Sequence, residues 1–372
     1  MKKSKIKYED ILSYDIILDN YEIIRKNTQH KDKIVKFDLF KLSNVHDIYK
    51  CLKNRNYVHS KYNIFLVSEP KYRIVMSENI KDKVINHIIS NQILKSAIYP
   101  KLIDQNVATR LGLGTNAAIK LCKKYFLRMQ NKYEKFYVLK FDIQKYFYNI
   151  NHDILKQLLR KIYDDEQILK LLYITIDATD ADYINGEIDK VIKREKLRLA
   201  AKNVPNIEDK YKELDKIPHY EKGKGLGIGS LSNQIYAVFY LNELDHYIKE
   251  KLKVKEYIRF MDDGIIFSND LEQLKYIWKE IKNKVEDLSL TLNEKTKIYT
   301  SNGGFEFVGY RFTSKKGKMI VRIKNETKNR MKKKFKNLSK YNQEKFVRVK
   351  ASYKGMVQYC TCKSLYDKYF KK

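Results

Sequence analysis

Residues that staple, kink or loosen a chain are scarce in this sequence, which has 4 Cys, 4 Pro, 13 Gly and a single Trp in 372 positions. The cysteines, Cys51, Cys122, Cys360 and Cys362, are too sparse for a disulfide framework. Cys360 and Cys362 have no second pair at metal-ligand spacing, which argues against structural zinc and fits a reducing cytosol. So little Pro and Gly beside 43% hydrophobic residues excludes a disordered or collagenous chain. No run reaches the roughly 18 apolar residues that a membrane span needs. The opening MKKSKIKYED carries basic residues with no apolar segment behind them. A cytoplasmic protein with no signal peptide and no membrane partner is expected.

Acids are also in short supply, with 45 Asp and Glu against 76 Lys and Arg, a net charge of +31. A chain that can fold and carries such an excess calls for a polyanionic partner, nucleic acid first and an anionic surface second. The charge is uneven. From Ser314 onward there are 20 Lys and Arg against 3 acids, a net +17, while residues 164–222 carry 11 bases against 14 acids, a net −3. In the basic tail Met331, Phe335 and Leu338, then Val349, Tyr353, Met356 and Val357, recur at helical spacing with Lys between them, predicting a small helical lobe with a phosphate-facing side. Residues 164–222 read as mainly helical, with Pro205 and Pro218 as breakers. This stretch is a poor candidate for touching phosphate, and is either a surface for protein contacts or self-association or an excursion with no role.

Short aromatic and β-branched runs read as strands: FYVLKF (136–141), YIRF (257–260), GIIF (264–267) and FEFVGYRF (305–312). Helical patterns lie between them, as in 152–162 and 232–252, so the fold class is α+β. Asp262 and Asp263 stand between two of the runs, the pattern of a hairpin tip. Asp142 ends another run. If these strands are neighbours in one sheet, three carboxylates meet at its edge and can hold two Mg²⁺ ions about 3.5–4 Å apart, the arrangement that activates an attacking hydroxyl and stabilises a leaving oxygen in phosphoryl transfer.

FDIQKYFYNINHDIL, GLGIGSLSNQIYAVFYLNELDHYIKEKL, YIRFMDDGIIF, and LTLNEKTKIY followed by FEFVGYRF resemble, in order and spacing, the palm blocks of reverse transcriptases. The bacterial branch that includes group II intron, diversity-generating retroelement and phage-defence enzymes is the most similar. Upstream, SEPKYRIVMSENIKDKVINHII and RLGLGTNAAI resemble fingers blocks, and ASYKGMVQYC resembles a thumb block. The resemblance implies a right-hand polymerase: an N-terminal extension and fingers over 1–135, a palm of antiparallel sheet and helices over 136–313 interrupted by the 164–222 insertion, and a basic helical thumb over 314–372.

Carried over residue by residue, the resemblance makes Asp142 and Asp262 the principal metal ligands, with Asp263 and the Ile143 carbonyl completing the set. Phe147 falls where such enzymes keep a ring beneath the sugar, which leaves no room for a 2′-hydroxyl. Lys71 and Arg73 match the basic pair that grips the triphosphate. Gly229 and Gln234 match the block where backbone approaches the templating base and nucleotide, and Lys295 matches a lysine proposed to protonate pyrophosphate. FVGY (307–310) resembles the primer grip, a hairpin that positions the 3′ end. Two positions depart from the pattern: Phe260 stands where Tyr is usual, and Asn233 where adenine-mutating retroelements tend to have Ser.

The implied activity is RNA-directed DNA synthesis by two-metal deoxynucleotidyl transfer with Mg²⁺, Mn²⁺ being the alternative ion. A dedicated structured non-coding RNA template, a DNA primer or cDNA product and dNTPs are the partners, and antiphage defence is the setting. Alternatives are template-independent or protein-primed synthesis at the same site, a diversity-generating retroelement enzyme, and a non-catalytic RNA-binding scaffold.

Overall fold

The computed structural model describes residues 3–28, 31–202, 206–361 and 363–371. Pro205 and Cys362, discussed above, lie outside them. Helices and antiparallel strand pairs alternate along the chain, in keeping with the α+β class. The chain folds as two compact units, each assembled from three separate segments.

The first unit comprises Met1–Leu102, Lys145–Glu243 and Asp287–Leu290. Its hairpin pairs β1 (Asn63–Val67) with β2 (Arg73–Ser77) in antiparallel register. Alternation along β2 buries Ile74 and Met76 and leaves Arg73 exposed, as a strand covered on one face requires. Residues 164–222 are helical as expected, with helices Glu166–Ile176, Tyr183–Ala201 and Ile207–Asp215. Asp165 caps the first of these, accepting from the backbone N–H groups of Gln167 and Ile168 at 2.9 and 3.1 Å. This stretch packs into the core of its unit. Ile184 and Ile188, one turn apart on a helix, are fully buried with Tyr62, Ile64, Ile74, Met76 and Tyr220. The Tyr62 N–H also donates to the Tyr183 hydroxyl at 2.7 Å. The insertion is therefore the back wall of the β1–β2 hairpin.

The second unit comprises Ile103–Gln144, Leu244–Glu286 and Thr291–Lys372. Its main sheet has the order β4-β5-β3-β6, from β3 (Tyr137–Phe141), β4 (Tyr257–Phe260), β5 (Asp263–Ser268) and β6 (Lys297–Thr300). The helix Thr115–Lys132 covers one face, packing Ala118, Ile119, Cys122 and Phe126 against Phe136, Val138 and Phe267. A second sheet joins β7 (Phe305–Phe307), β8 (Tyr310–Lys315) and β9 (Lys318–Ile323). FEFVGYRF is thus not one strand but a hairpin, because Val308 and Gly309 both take positive φ (42° and 90°) and reverse the chain. The helical run expected over 232–252 is likewise divided, into Leu231–Tyr240, Asn242–His246 and a π-helical turn Tyr247–Lys251.

The basic tail forms helices Asn325–Tyr341, Gln343–Val357 and Lys363–Phe370. Met331, Phe335, Tyr353 and Val357 are buried, and Lys332, Lys333 and Lys336 are exposed. Among the described residues no helix is long and apolar enough to cross a membrane.

Candidate active site

The main sheet places the three aspartates by register. Phe141 lies opposite Gly264, so the next step along β3 sets Asp142 against Asp263. Phe260 and Asp263 close the β4–β5 hairpin across the two-residue turn Met261–Asp262. Met261 has φ +56°, a left-handed conformation that costs an L residue about 1–2 kcal/mol. The same register explains Gly264. A Cβ there would stand 2.1 Å from the far end of the Phe141 ring, which stacks on Tyr257.

The aspartates crowd one another. Asp142 and Asp262 share a side-chain hydrogen bond, and Asp263 is 3.3 Å from the Lys140 ammonium. Burial, then the neighbouring charges of Asp142 and Asp263, pushes Asp262 from 3.8 up to about 7. Asp142 is raised too, by burial first and by Asp263 second. Without a cation both carboxylates are therefore harder to ionise than an ordinary aspartate. The three half-buried carboxylates offer oxygen donors of the kind Mg²⁺ or Mn²⁺ takes, although among the described residues the trio whose ligating atoms all lie within 4.8 Å of one another is His152, Asp177 and Asp180.

Ile143 pairs with Leu292 as an isolated bridge, whose hydrogen bonds run from Gln144 N to Thr291 O (2.9 Å) and from Asn293 N to Asp142 O (2.7 Å). Neither bond uses the Ile143 carbonyl. Lys295 is exposed just beyond this bridge, and its charge lowers the pKa of Asp142. Lys140 was missed in the sequence, although it lies two residues before Asp142 and so on the same face of the strand.

The remaining candidates belong to the first unit, where the segment Gly225–Ser230 ties several of them together. Leu226 N donates to Phe147 O at 2.7 Å, Gly225 N to Ile150 O at 2.8 Å, and Met76 N to Ile228 O at 2.8 Å. Phe147 and Gly229 are thereby linked to β2, the strand that begins with Arg73. Gly229 has φ +144°, and a Cβ there would meet the Met76 carbonyl oxygen at 2.4 Å, so only glycine fits. Gln234 is the exposed residue in a stretch, Ser232–Tyr240, that is otherwise buried. Lys71 is exposed in the β1–β2 connection, and Phe147 is half-buried with Tyr146 at its edge. Asn233 donates to the Gly227 carbonyl at 2.9 Å, bracing the same segment.

Two further groups went unseen in the sequence. Buried Glu78 accepts from Asn86 at 2.8 Å, and Ser232 donates to Asn86 at 2.5 Å; burial pushes Glu78 up to about 8. His152 and Thr179 both bond the Gly225 carbonyl at 2.7 Å. His152, Asp177 and Asp180 bring ligating atoms within 4.8 Å of one another, with Lys156 paired to Asp177 at 2.7 Å. No local motif marks either network, since each joins residues far apart in sequence.

A family model described as Reverse transcriptase (RNA-dependent DNA polymerase) matches residues 60–312, more than half of the chain. Every candidate residue above from Lys71 to Lys295 lies within that span. No curated protein matches the chain.

Proposed function

The chain belongs to the reverse transcriptase family, whose members are RNA-directed DNA polymerases, and from that premise we propose that Asp142, Asp262 and Asp263 form its nucleotidyl-transfer centre. Reverse transcriptases act on an RNA template, a primer and dNTPs, and generally use a divalent metal such as Mg²⁺. The observation that carries the assignment is the strand register that brings Asp142, Asp262 and Asp263 to one end of the main sheet, where burial and their mutual repulsion raise the pKa of Asp262.

In this reading Asp142, Asp262 and Asp263, with the Ile143 carbonyl, hold two divalent ions. The chemistry that such ions would supply when bound is Lewis-acid activation of the primer 3′-hydroxyl and neutralisation of charge on the departing oxygen. The 3′-hydroxyl gives up its proton to solvent as its oxygen bonds to the α-phosphorus, the α–β bridging P–O bond breaks, and pyrophosphate leaves. Lys295 supplies the proton that pyrophosphate takes up. Lys71 and Arg73 orient the triphosphate through charge-assisted contacts. Phe147 lies beneath the sugar and excludes a 2′-hydroxyl, so the substrate is a deoxynucleotide. Gly229 lets backbone approach the nucleotide, and Gln234 contacts the templating pair.

The architecture is read as fingers (1–135, with the N-terminal extension), palm (136–313) and thumb (314–372). In the thumb the exposed Lys332, Lys333 and Lys336 track the phosphates of the template–primer duplex. The net +17 of that segment supports a large backbone footprint. We assign the enzyme to the bacterial branch named above, with a structured RNA as template and antiphage defence in the cytoplasm as its setting. The outward faces of the 164–222 helices, near neutral in a basic protein, are the surface for a protein partner or a second copy.

The test is incorporation of labelled dNTPs by purified protein and its co-purifying RNA with Mg²⁺, beside an Asp262→Asn/Asp263→Asn variant, followed by sequencing. Product complementary to the bound RNA and absent from the variant is expected, a loss of at least about 10⁴-fold. Product unrelated to any RNA would overturn templated synthesis. Equal activity of the variant would overturn the site.

A further inference from the structure

Asp262 sits on a turn that its own sequence does not favour. Two-residue hairpin turns that begin with positive φ normally place Gly or Asn there, and this one has Met261 at +56°. Something must hold it. In β4, two residues before the turn, Arg259 is fully buried, and its Nη1 donates to the Met261 carbonyl at 2.7 Å.

The rest of the guanidinium is anchored. Nε lies 2.7 and 2.9 Å from the two carboxylate oxygens of Asp245, and Nη2 lies 2.7 Å from Oδ2. Asp245 is itself fully buried and accepts from the Tyr257 hydroxyl at 2.7 Å. The Arg259 backbone is fixed as well, with its N–H donating to Gln105 O at 3.0 Å and its carbonyl accepting from Val107 N at 3.1 Å. A planar fork held through Nε and Nη2 by a carboxylate has its Nη1 fixed in the same plane, and from there Nη1 reaches the Met261 carbonyl. This carbonyl belongs to the Met261–Asp262 peptide, so fixing it fixes the plane from which the Asp262 Cα and side chain depart.

We propose that Arg259, oriented by Asp245, is a positioning residue that locks the Met261–Asp262 peptide and so sets where the Asp262 carboxylate stands for a divalent cation. The proposal rests on the reading of Asp262 as a metal ligand. An ion pair buried this deeply is not needed for stability as such, since well-packed apolar replacements of both partners are often neutral. Its use here is geometric. Lysine could keep the charge opposite Asp245 but could not span Asp245 and the carbonyl at once.

The test uses the full chain without nucleotide, measuring Mn²⁺ binding by electron paramagnetic resonance titration and the thermal midpoint, and separately the Mg²⁺ concentration for half-maximal dNTP incorporation. Three variants are compared: Arg259→Lys, the paired Arg259→Met/Asp245→Leu, and Asp262→Asn. We expect both Arg259 variants to bind Mn²⁺ about 10-fold or more weakly, the usual scale for groups that orient ligands, and to need correspondingly more Mg²⁺, with midpoints near wild type. Wild-type Mn²⁺ affinity in folded Arg259→Lys would overturn the proposal, even if the paired variant fails to fold. Asp262→Asn separates the two layers. If it leaves Mn²⁺ binding intact, the ligand reading is wrong, whereas if it abolishes binding while Arg259→Lys does not, only the positioning role is wrong.

Discussion

Replacing Asp262 by Asn should stabilise the metal-free protein at pH 8 and do almost nothing at pH 4. In the unfolded chain Asp262 ionises near 3.8, whereas in the folded, metal-free protein it does so near 7. Between those values the folded state holds a proton that the unfolded state has lost, so stability falls as pH rises from about 4 to about 7 and is flat above. At about 1.4 kcal/mol per tenfold change, the full span corresponds to a ceiling of about 4 kcal/mol, and sharing of one proton with Asp142 brings the expected gain to about 2–4 kcal/mol. Asparagine has nothing to ionise and escapes this loss. Chemical denaturation in EDTA at pH 4.5 and pH 8 measures the difference between the two proteins. Glu78, pushed up to about 8 by burial, tilts both curves alike and cancels. Mg²⁺ should reverse the order at pH 8 by stabilising only the wild type. A wild-type-minus-variant difference that stays constant from pH 4.5 to 8 would refute the crowded-carboxylate argument.

Gly264→Ala forces a methyl group into the Phe141 ring and should cost about 1–3 kcal/mol, with dNTP incorporation falling further because Asp142 follows Phe141 directly; a melt and a primer-extension assay read both. Phe147→Ala should admit ribonucleotides, seen as a drop of about tenfold or more in the dNTP-over-rNTP ratio of kcat/KM, and an unchanged ratio would mean that the ring is only core. Replacing Lys332, Lys333 and Lys336 by Ala should flatten the plot of log affinity against log salt by about 0.7–0.9 per lost phosphate contact, and an unchanged slope would show them to be merely solvated.

The strands that carry the aspartates were legible because they are short, apolar and bounded by polar residues, and a hairpin tip because a DD pair interrupts two such runs, although the turn is Met261–Asp262 and Asp263 already belongs to β5. The amphipathic tail was legible for a similar reason, and Met331, Phe335, Tyr353 and Val357 are buried as their spacing required. In FEFVGYRF the period-2 patterning continues through Val308–Gly309, so the pattern alone reads as one strand, whereas the resemblance of FVGY to a primer grip implied the hairpin that two positive φ values make. The strand Lys318–Ile323 went unread because its KMIVRI follows a run of lysines that looks like solvated helix. Contacts made at long range left no trace. Arg259 with Asp245, Lys140 with Asp263, and Ile184 with the β1–β2 hairpin each join residues whose types are ordinary in their own neighbourhoods.

The segmented make-up of the two units has a consequence for synthesis. β3 ends at Phe141, its partner β5 begins at Asp263, and its other partner β6 at Lys297. At translation rates of about 5–20 residues per second, β3 waits roughly 10–30 s for its second neighbour to be made. During that interval the nascent chain carries an apolar strand with unpaired edges, the kind of segment that invites association with other chains. The first unit is delayed almost as long, because it draws its last segment, Asp287–Leu290, from the same late stretch. Neither unit can close until about four-fifths of the polypeptide has been made, so a ribosome that stalls between Asp263 and Lys297 releases a chain with all three aspartates and no finished main sheet to hold them.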